Sequence, residues 1–345
     1  MNRLLVVKRD KIGDMLLTTP LLAHLRERLP STRIEVLCTD YNAWVLDGNP
    51  NLDRRWVLPR VRIGPFLRWR AVPIQIFLRT RLRFAFFDAV IVAQGEESPR
   101  AVRLGLSVQS GKVAAYAASA ARYGRRLTHE LPEPAEGVHE VDRMIGLATT
   151  LGIAPPDVVR HPFFALPDRA RRFAQTWLSE RGLELRRYVV LGLGARRATR
   201  QPSAAQAERW ARWWWERFGL QTVFIWTPGR SDSPIYPGDD DIAEPVLRRQ
   251  LSFLHPYRGP LIEALGLISH AQSSVLPDSG LMHFGAASPG GVVGLFASDG
   301  PPAWKWGPRG ARVGVVQAES DVPSMPDSML FGAVEPLLTT KQGLP

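Results

Sequence analysis

Short, wholly apolar runs, each breaking into a glycine or polar turn and then a helical pattern, set the limits of what this chain can fold into. The first run is 4–7 (LLVV). Lys8-Arg9-Asp10-Lys11-Ile12-Gly13-Asp14 follows it, then a helical stretch over 15–29 with Leu17, Leu21, Leu22, Leu25 and Leu29 in one stripe. Pro20 is expected near the first turn of that helix or at a kink. Further strands are expected at 33–38, 89–93, 113–116, 188–193, 222–226, 292–296 and 313–316. Helices are expected at 139–151, 168–181, 204–218 and 261–270. Continuous apolar runs belong to strands buried on both faces, which is the setting of a parallel sheet. Their alternation with helices predicts βαβ units with right-handed crossovers.

Open sheets of this kind hold ligands at the carboxyl ends of their strands, and three turns fall there. Gly13-Asp14 offers a carboxylate that can act as a general base or as a helix N-cap. After 188–193 come Gly192-Leu193-Gly194-Ala195 and then Arg196, Arg197 and Arg200. These can hold a diphosphate through charge-assisted hydrogen bonds, or be a solvated basic loop. Ser203 is the expected N-cap of the next helix. The third turn lies in 273–287 (SSVLPDSGLMHFGAA), where an apolar run ends at Pro277. Asp278 or Ser279 can cap the helix that follows, Gly280 lets a ligand approach the backbone, and His283 lies one turn in. An ordinary capped helix with a partly buried histidine reads the same way. The loop 227–230 can border a base or ribose, and Asp239-Asp240-Asp241 reads as a helix start. Trp210, Trp213, Trp214 and Trp215 have the spacing of a helix packed on the sheet, and 304–308 reads as a loop.

At 345 residues, 45% hydrophobic and 22% charged, the chain is long enough for two ordinary domains. The proline-rich stretch 155–167 marks the expected linker, between domains at 1–160 and 161–345. No apolar run of about 18 residues predicts a membrane span, and the first residues lack the apolar core of a signal peptide. Cys38 is the sole cysteine, which excludes an internal disulfide and a cysteine metal cluster. A soluble, cytoplasmic protein is expected. The formal charge of +11 favours an anionic partner. It is concentrated in 54–87, which holds nine arginines, Arg60, Arg62, Arg68 and Arg70 among them, no acidic residue, and many interleaved apolar side chains. Such a stretch fits an anionic membrane or a phosphorylated amphiphile. RNA contact and an amphipathic crossover helix are the competing readings.

The ordered set of Gly13-Asp14, Gly194 to Pro202, Asp278 to His283, Leu295-Phe296 with Ser298-Asp299, and Trp306-Gly307-Pro308 resembles glycosyltransferase family 9, the bacterial lipopolysaccharide heptosyltransferases, over nearly the whole chain. The resemblance implies an α/β GT-B architecture: two Rossmann-like doubly wound domains facing across a cleft. It implies inverting, metal-independent transfer without a cofactor, from an ADP-heptose-like donor on the C-terminal domain to an anionic glycolipid on the N-terminal domain. Asp14 matches the family's base. Asp278, Ser279, Gly280 and His283 match its donor turn, with Gly194, Arg197 and Arg200 as further donor contacts and Arg60, Arg62, Arg68 and Arg70 as acceptor contacts. Peripheral attachment to the inner face of the cytoplasmic membrane follows, and no nucleic acid is expected. Two departures stand out: Arg200-Gln201-Pro202 where the family often has a basic residue and Trp-Pro, and Ala297 in place of its usual Gly-Pro. The alternatives are a GT-B enzyme using another nucleotide sugar, and a non-catalytic basic protein binding membrane or nucleic acid.

Overall fold

The computed structural model describes residues 1–63, 66–124, 127–232 and 237–339; Gly64 and Pro65 of the arginine-rich stretch lie outside them. The chain divides into two compact units, Met1–Ala165 and Leu166–Pro345.

The first unit runs β1 (Arg3–Val7), α1 (Ile12–Arg28), β2 (Arg33–Thr39), β3 (Arg54–Leu58), β4 (Arg62–Ile63), β5 (Phe66–Leu67), α2 (Ala71–Phe84), β6 (Phe87–Val92), α3 (Pro99–Leu106), β7 (Ser110–Tyr116), β8 (His129–Leu131) and α4 (Glu140–Gly146). Six strands pair in the order β3-β2-β1-β6-β7-β8, all parallel. The short antiparallel pair β4–β5 stands apart. Leu4 to Val7 are wholly buried, as an all-apolar central strand requires.

Helix α1 begins three residues earlier than the apolar stripe indicates. Gly13 and Asp14 therefore sit in its first turn rather than in a loop before it, and the cap position is Lys11, with no side-chain cap bond. Pro20 lies well inside the helix and removes one backbone donor. The Thr19 hydroxyl donates to the Leu16 carbonyl at 2.7 Å, which replaces the missing bond. The expected helix over 139–151 is α4 followed by a 3₁₀ turn at Leu147–Leu151.

The second unit runs α5 (Asp168–Ser179), β9 (Tyr188–Gly192), α6 (Ala204–Phe218), β10 (Gln221–Ile225), α7 (Asp240–Leu247), β11 (Leu254–Tyr257), α8 (Leu261–His270), β12 (Ser273–Pro277), α9 (Gly280–Ala286), β13 (Val292–Phe296), α10 (Ala303–Trp306), β14 (Val313–Gln317) and α11 (Asp327–Thr339). Its sheet, again parallel, is ordered β11-β10-β9-β12-β13-β14. The expected loop at 304–308 is instead entered by the single helical turn α10.

Helix α6 shows how local sequence sets this unit. Ser203 and Gln206 form a reciprocal capping box, and Gly219 ends the helix at φ 63°. Trp210 and Trp214 are fully buried, each indole N–H finding a partner, Asp327 and Thr222, at 2.7 Å. Trp213 stacks on Phe331 at 4.1 Å. Trp215 points outward against Phe253.

Candidate functional site

In both units the strand order reverses direction beside the first strand, between β1 and β6 and between β9 and β12. These are the topological switch points, where the loops diverge and leave a crevice. The sequence-derived site residues fall into two groups, one in each unit.

In the first unit the turn after β1 carries Lys8 and Asp10, and the first turn of α1 carries Asp14. Lys8 is wholly buried, with its ammonium 3.4 Å from the Gln94 side-chain oxygen and 3.6 Å from the Asp10 carboxylate. Gln94, just past β6, also donates to Asp10. Asn42 donates to the Asp10 carbonyl at 2.9 Å, which fixes the loop. Asp14 is partly buried. Burial pushes its carboxyl above the ordinary 3.8 and Asp10 adds to this, while Lys8, Lys11 and a backbone hydrogen bond from Lys11 pull the other way. Asp14 is thus not the N-cap but the third helical residue reaching back to the cap. A carboxylate raised in this way is a better proton acceptor than an exposed one.

Gly95 closes the β6 side. Its N–H donates to Glu140 at 2.9 Å, and its carbonyl accepts from Arg143 at 3.2 Å. A Cβ at this position would overlap the Glu140 carboxylate. Gly95→Ala is therefore expected to destabilise the first unit by about 1–3 kcal/mol; urea denaturation measures this, and an unchanged midpoint would refute the packing argument. Lys8, Asn42, Glu140 and Arg143 were not singled out from sequence. The one available signal was a lysine directly following an all-apolar strand.

The four arginines expected at an acceptor do not form one cluster. Arg60 and Arg68 both pair with Asp40, Arg60 at 2.9 Å. Burial pushes the Asp40 carboxyl up, but hydrogen bonds from Arg68 and Arg60 outweigh it and hold it below its usual range. Arg62 on β4 and Arg70 at the start of α2 are exposed.

In the second unit Arg200 and Asp278 meet, although 78 residues apart: the guanidinium donates to the carboxylate at 3.0 Å, with both side chains mostly buried, 14% and 11% exposed. The Arg200 Nε is buried and makes no hydrogen bond among the described residues. Arg197 lies further out, mostly exposed, and holds the Asp299 carbonyl at 3.0 Å; Thr199 donates to the same aspartate. Of the two candidate arginines, Arg200 is the one beside the Asp278 turn. Ser279 occupies the cap position of α9 without a side-chain cap bond, and Gly280 begins the helix. Seven residues make less than two turns, so positive charge at this turn comes mainly from Arg200. His283 is buried, 5% exposed, one turn into α9, where its neighbours Met282 and Phe284 are buried too. Gly194 is partly exposed at the end of β9.

The departure at Gln201 has a structural explanation. Its amide donates to the Ala195 carbonyl at 3.0 Å and to Asp239, and Asp239 accepts the Thr227 N–H at 2.7 Å. Burial raises the Asp239 carboxyl, against those hydrogen bonds. Asp240 accepts from Trp226 and Gly229, both at 2.8 Å. The acidic cluster begins α7 as expected, and it also shapes the 227–231 loop.

No curated protein matches the chain at a significant level. Among solved structures, the glycosyl transferase family 9 protein from Veillonella parvula DSM 2008 is similar at TM-score 0.79 and 19% identity, over 98% of this chain and 97% of that one. E. coli heptosyltransferase WaaC with ADP follows at 0.72 and 18%, covering 97% and 99%. E. coli ADP-heptose lps heptosyltransferase II gives 0.71 and 18%, covering 98% of each. The likeness extends over both units, and the fold is of the GT-B class that the sequence implies. A model of the family described as glycosyltransferase family 9 (heptosyltransferase) matches residues 76–329, and the chain belongs to that family.

Proposed function

We propose that the protein transfers a heptose, or a related sugar, from an ADP-sugar to a hydroxyl of an anionic glycolipid of the lipopolysaccharide-core kind. Asp14 removes the proton from the acceptor hydroxyl as that oxygen attacks the anomeric carbon. The bond from that carbon to the diphosphate breaks on the opposite face, so configuration inverts. Arg200 takes up the charge growing on the diphosphate, and Asp278 holds the guanidinium in place. This assigns the acceptor, through Arg60, Arg62, Arg68 and Arg70, to the domain proposed at 1–160. The donor, through Gly194, Arg197, Arg200, Asp278, Ser279, Gly280 and His283, goes to that at 161–345. The mechanism calls for no metal ion, because a guanidinium supplies the cation the leaving group needs. The acceptor's lipid places the protein peripherally on the inner face of the cytoplasmic membrane.

The observation that carries the reading is Asp14: a carboxylate raised by burial at the switch point of the first unit. A donor screen tests it. ADP-heptose and a panel of UDP-, GDP- and ADP-sugars are incubated with the protein and a core-lipid acceptor, and nucleoside diphosphate release is measured. Preference for ADP-heptose is expected. A preference for a UDP- or GDP-sugar would point to the related GT-B enzyme, and no release from any donor to the non-catalytic protein.

A further inference from the structure

Helix α2 has two apolar faces, and the protein's core takes up only one. The inner face buries Ala71 and Leu82 and lays Leu78 against the core of the first unit. At 100° per residue the opposite face carries Pro73, Ile76, Phe77, Thr80 and Phe84. Ile76, Phe77 and Phe84 are 61%, 60% and 77% exposed. Arg79, Arg81 and Arg83 line the margins and are exposed too. Next to the helix in sequence, Phe66 on β5 and Trp69 are 63% and 75% exposed. Contiguous apolar surface of this kind marks an interaction site.

We infer that α2, with Phe66 and Trp69, is a docking element that lies in the headgroup layer of a bilayer rich in anionic phospholipid. An apolar face with arginines at its borders has the character of an interfacial helix: the rings enter the acyl boundary and the guanidiniums stay among the phosphates. Beside α2, an open groove lined by Arg3, Arg54, Trp56, Phe77, Arg81 and Phe84 combines the cations of Arg54 and Arg81 with an aromatic floor, while Arg3 at its edge is paired with Glu35 at 2.8 Å. Arg54 lies 3.9 Å over the Trp56 ring. That groove suits one lipid phosphate and the first carbons of its chains. Charge selects this occupant over a second copy of the chain, since 54–87 contains no acidic residue and two such faces would repel. The inference rests on the peripheral placement proposed above, but its test needs neither donor nor acceptor.

The test is cosedimentation of the full chain with vesicles of phosphatidylcholine alone or mixed with phosphatidylglycerol. The protein is expected to partition onto the mixed vesicles about tenfold or more above the neutral ones. Phe77→Ser with Phe84→Ser is expected to lower binding to the mixed vesicles by about tenfold or more. Arg79→Gln with Arg81→Gln and Arg83→Gln is expected to remove the preference for them. All these positions are exposed, so circular dichroism and ADP affinity should be unchanged. Equal binding by the protein and its double phenylalanine variant would overturn the inference. So would equal binding to both vesicle types, or self-association in solution that the double variant abolishes. Failure of the transfer reading would appear instead as absent nucleotide release, with vesicle binding intact.

Discussion

Asp14→Asn is expected to lower kcat by about 10² or more while leaving donor affinity nearly unchanged, because a general base acts only in the transition state. The acid limb of the wild-type pH–rate profile should vanish in the variant, since that limb reports protonation of the base. The same substitution has an expected stability effect. Burial raises the folded-state pKa of Asp14 above its ordinary 3.8. The resulting stabilisation is complete below the ordinary value and is lost as pH rises through the folded one. Above that folded value the ionised side chain is therefore a burden on the fold, and there the neutral amide should raise the urea midpoint. Loss of activity with a gain in stability is the signature of a residue kept for chemistry. A variant that transfers sugar at the wild-type rate would leave Asp14 a helix-start residue and nothing more.

Arg200→Ala is expected to weaken ADP binding by about 10- to 100-fold, as befits loss of hydrogen bonds from a charged donor to an anion. It also removes the ion pair that Arg200 makes with the largely buried Asp278 carboxylate, so some loss of stability should accompany it. Arg200→Lys separates the two effects: it keeps the charge but not the fork, and should bind ADP with intermediate affinity. Arg197→Ala removes an outer donor contact together with an exposed pair with Asp299, and should weaken ADP binding clearly less than Arg200→Ala does. Isothermal titration with ADP reads all three. Wild-type affinity in Arg200→Ala, or a larger loss in Arg197→Ala, would move the diphosphate contact away from Arg200.

What could be read from the sequence follows from what local chemistry determines. The all-apolar runs at 4–7, 188–193 and 292–296 are strands because no other element buries both faces of so short a segment. Helices α6 and α8 are framed by a capping serine and by an apolar period. Helix α1 starts early because Ile12 is buried and Lys11 caps through its backbone alone, which leaves no side-chain mark. Strand β11, with His255 and Pro256, and helix α11, with Gly332 and Pro336, contradict their own propensities. β11 tolerates its proline as an edge strand. Asp14, Arg200 and Asp278 were visible as turn residues. That Arg200 grips Asp278 was not, because it depends on β9 pairing with β12. Asn42 and Glu140 become legible only once the chain is folded around them, and Lys8 shows in the sequence only as a lysine at the end of an apolar strand.

The brace from Gln201 to Ala195 and Asp239 has a consequence for how a donor is received. The segment bearing Arg200 is tied at one end to the β9 turn and, through Asp239, to Thr227 beyond β10. Its conformational entropy is thus already spent when the protein folds, and an arriving nucleotide need not order it. A ligand meeting such a turn forfeits little of its interaction energy to rigidifying the receptor. Its association should then proceed at an encounter-limited rate, without a slow rearrangement step.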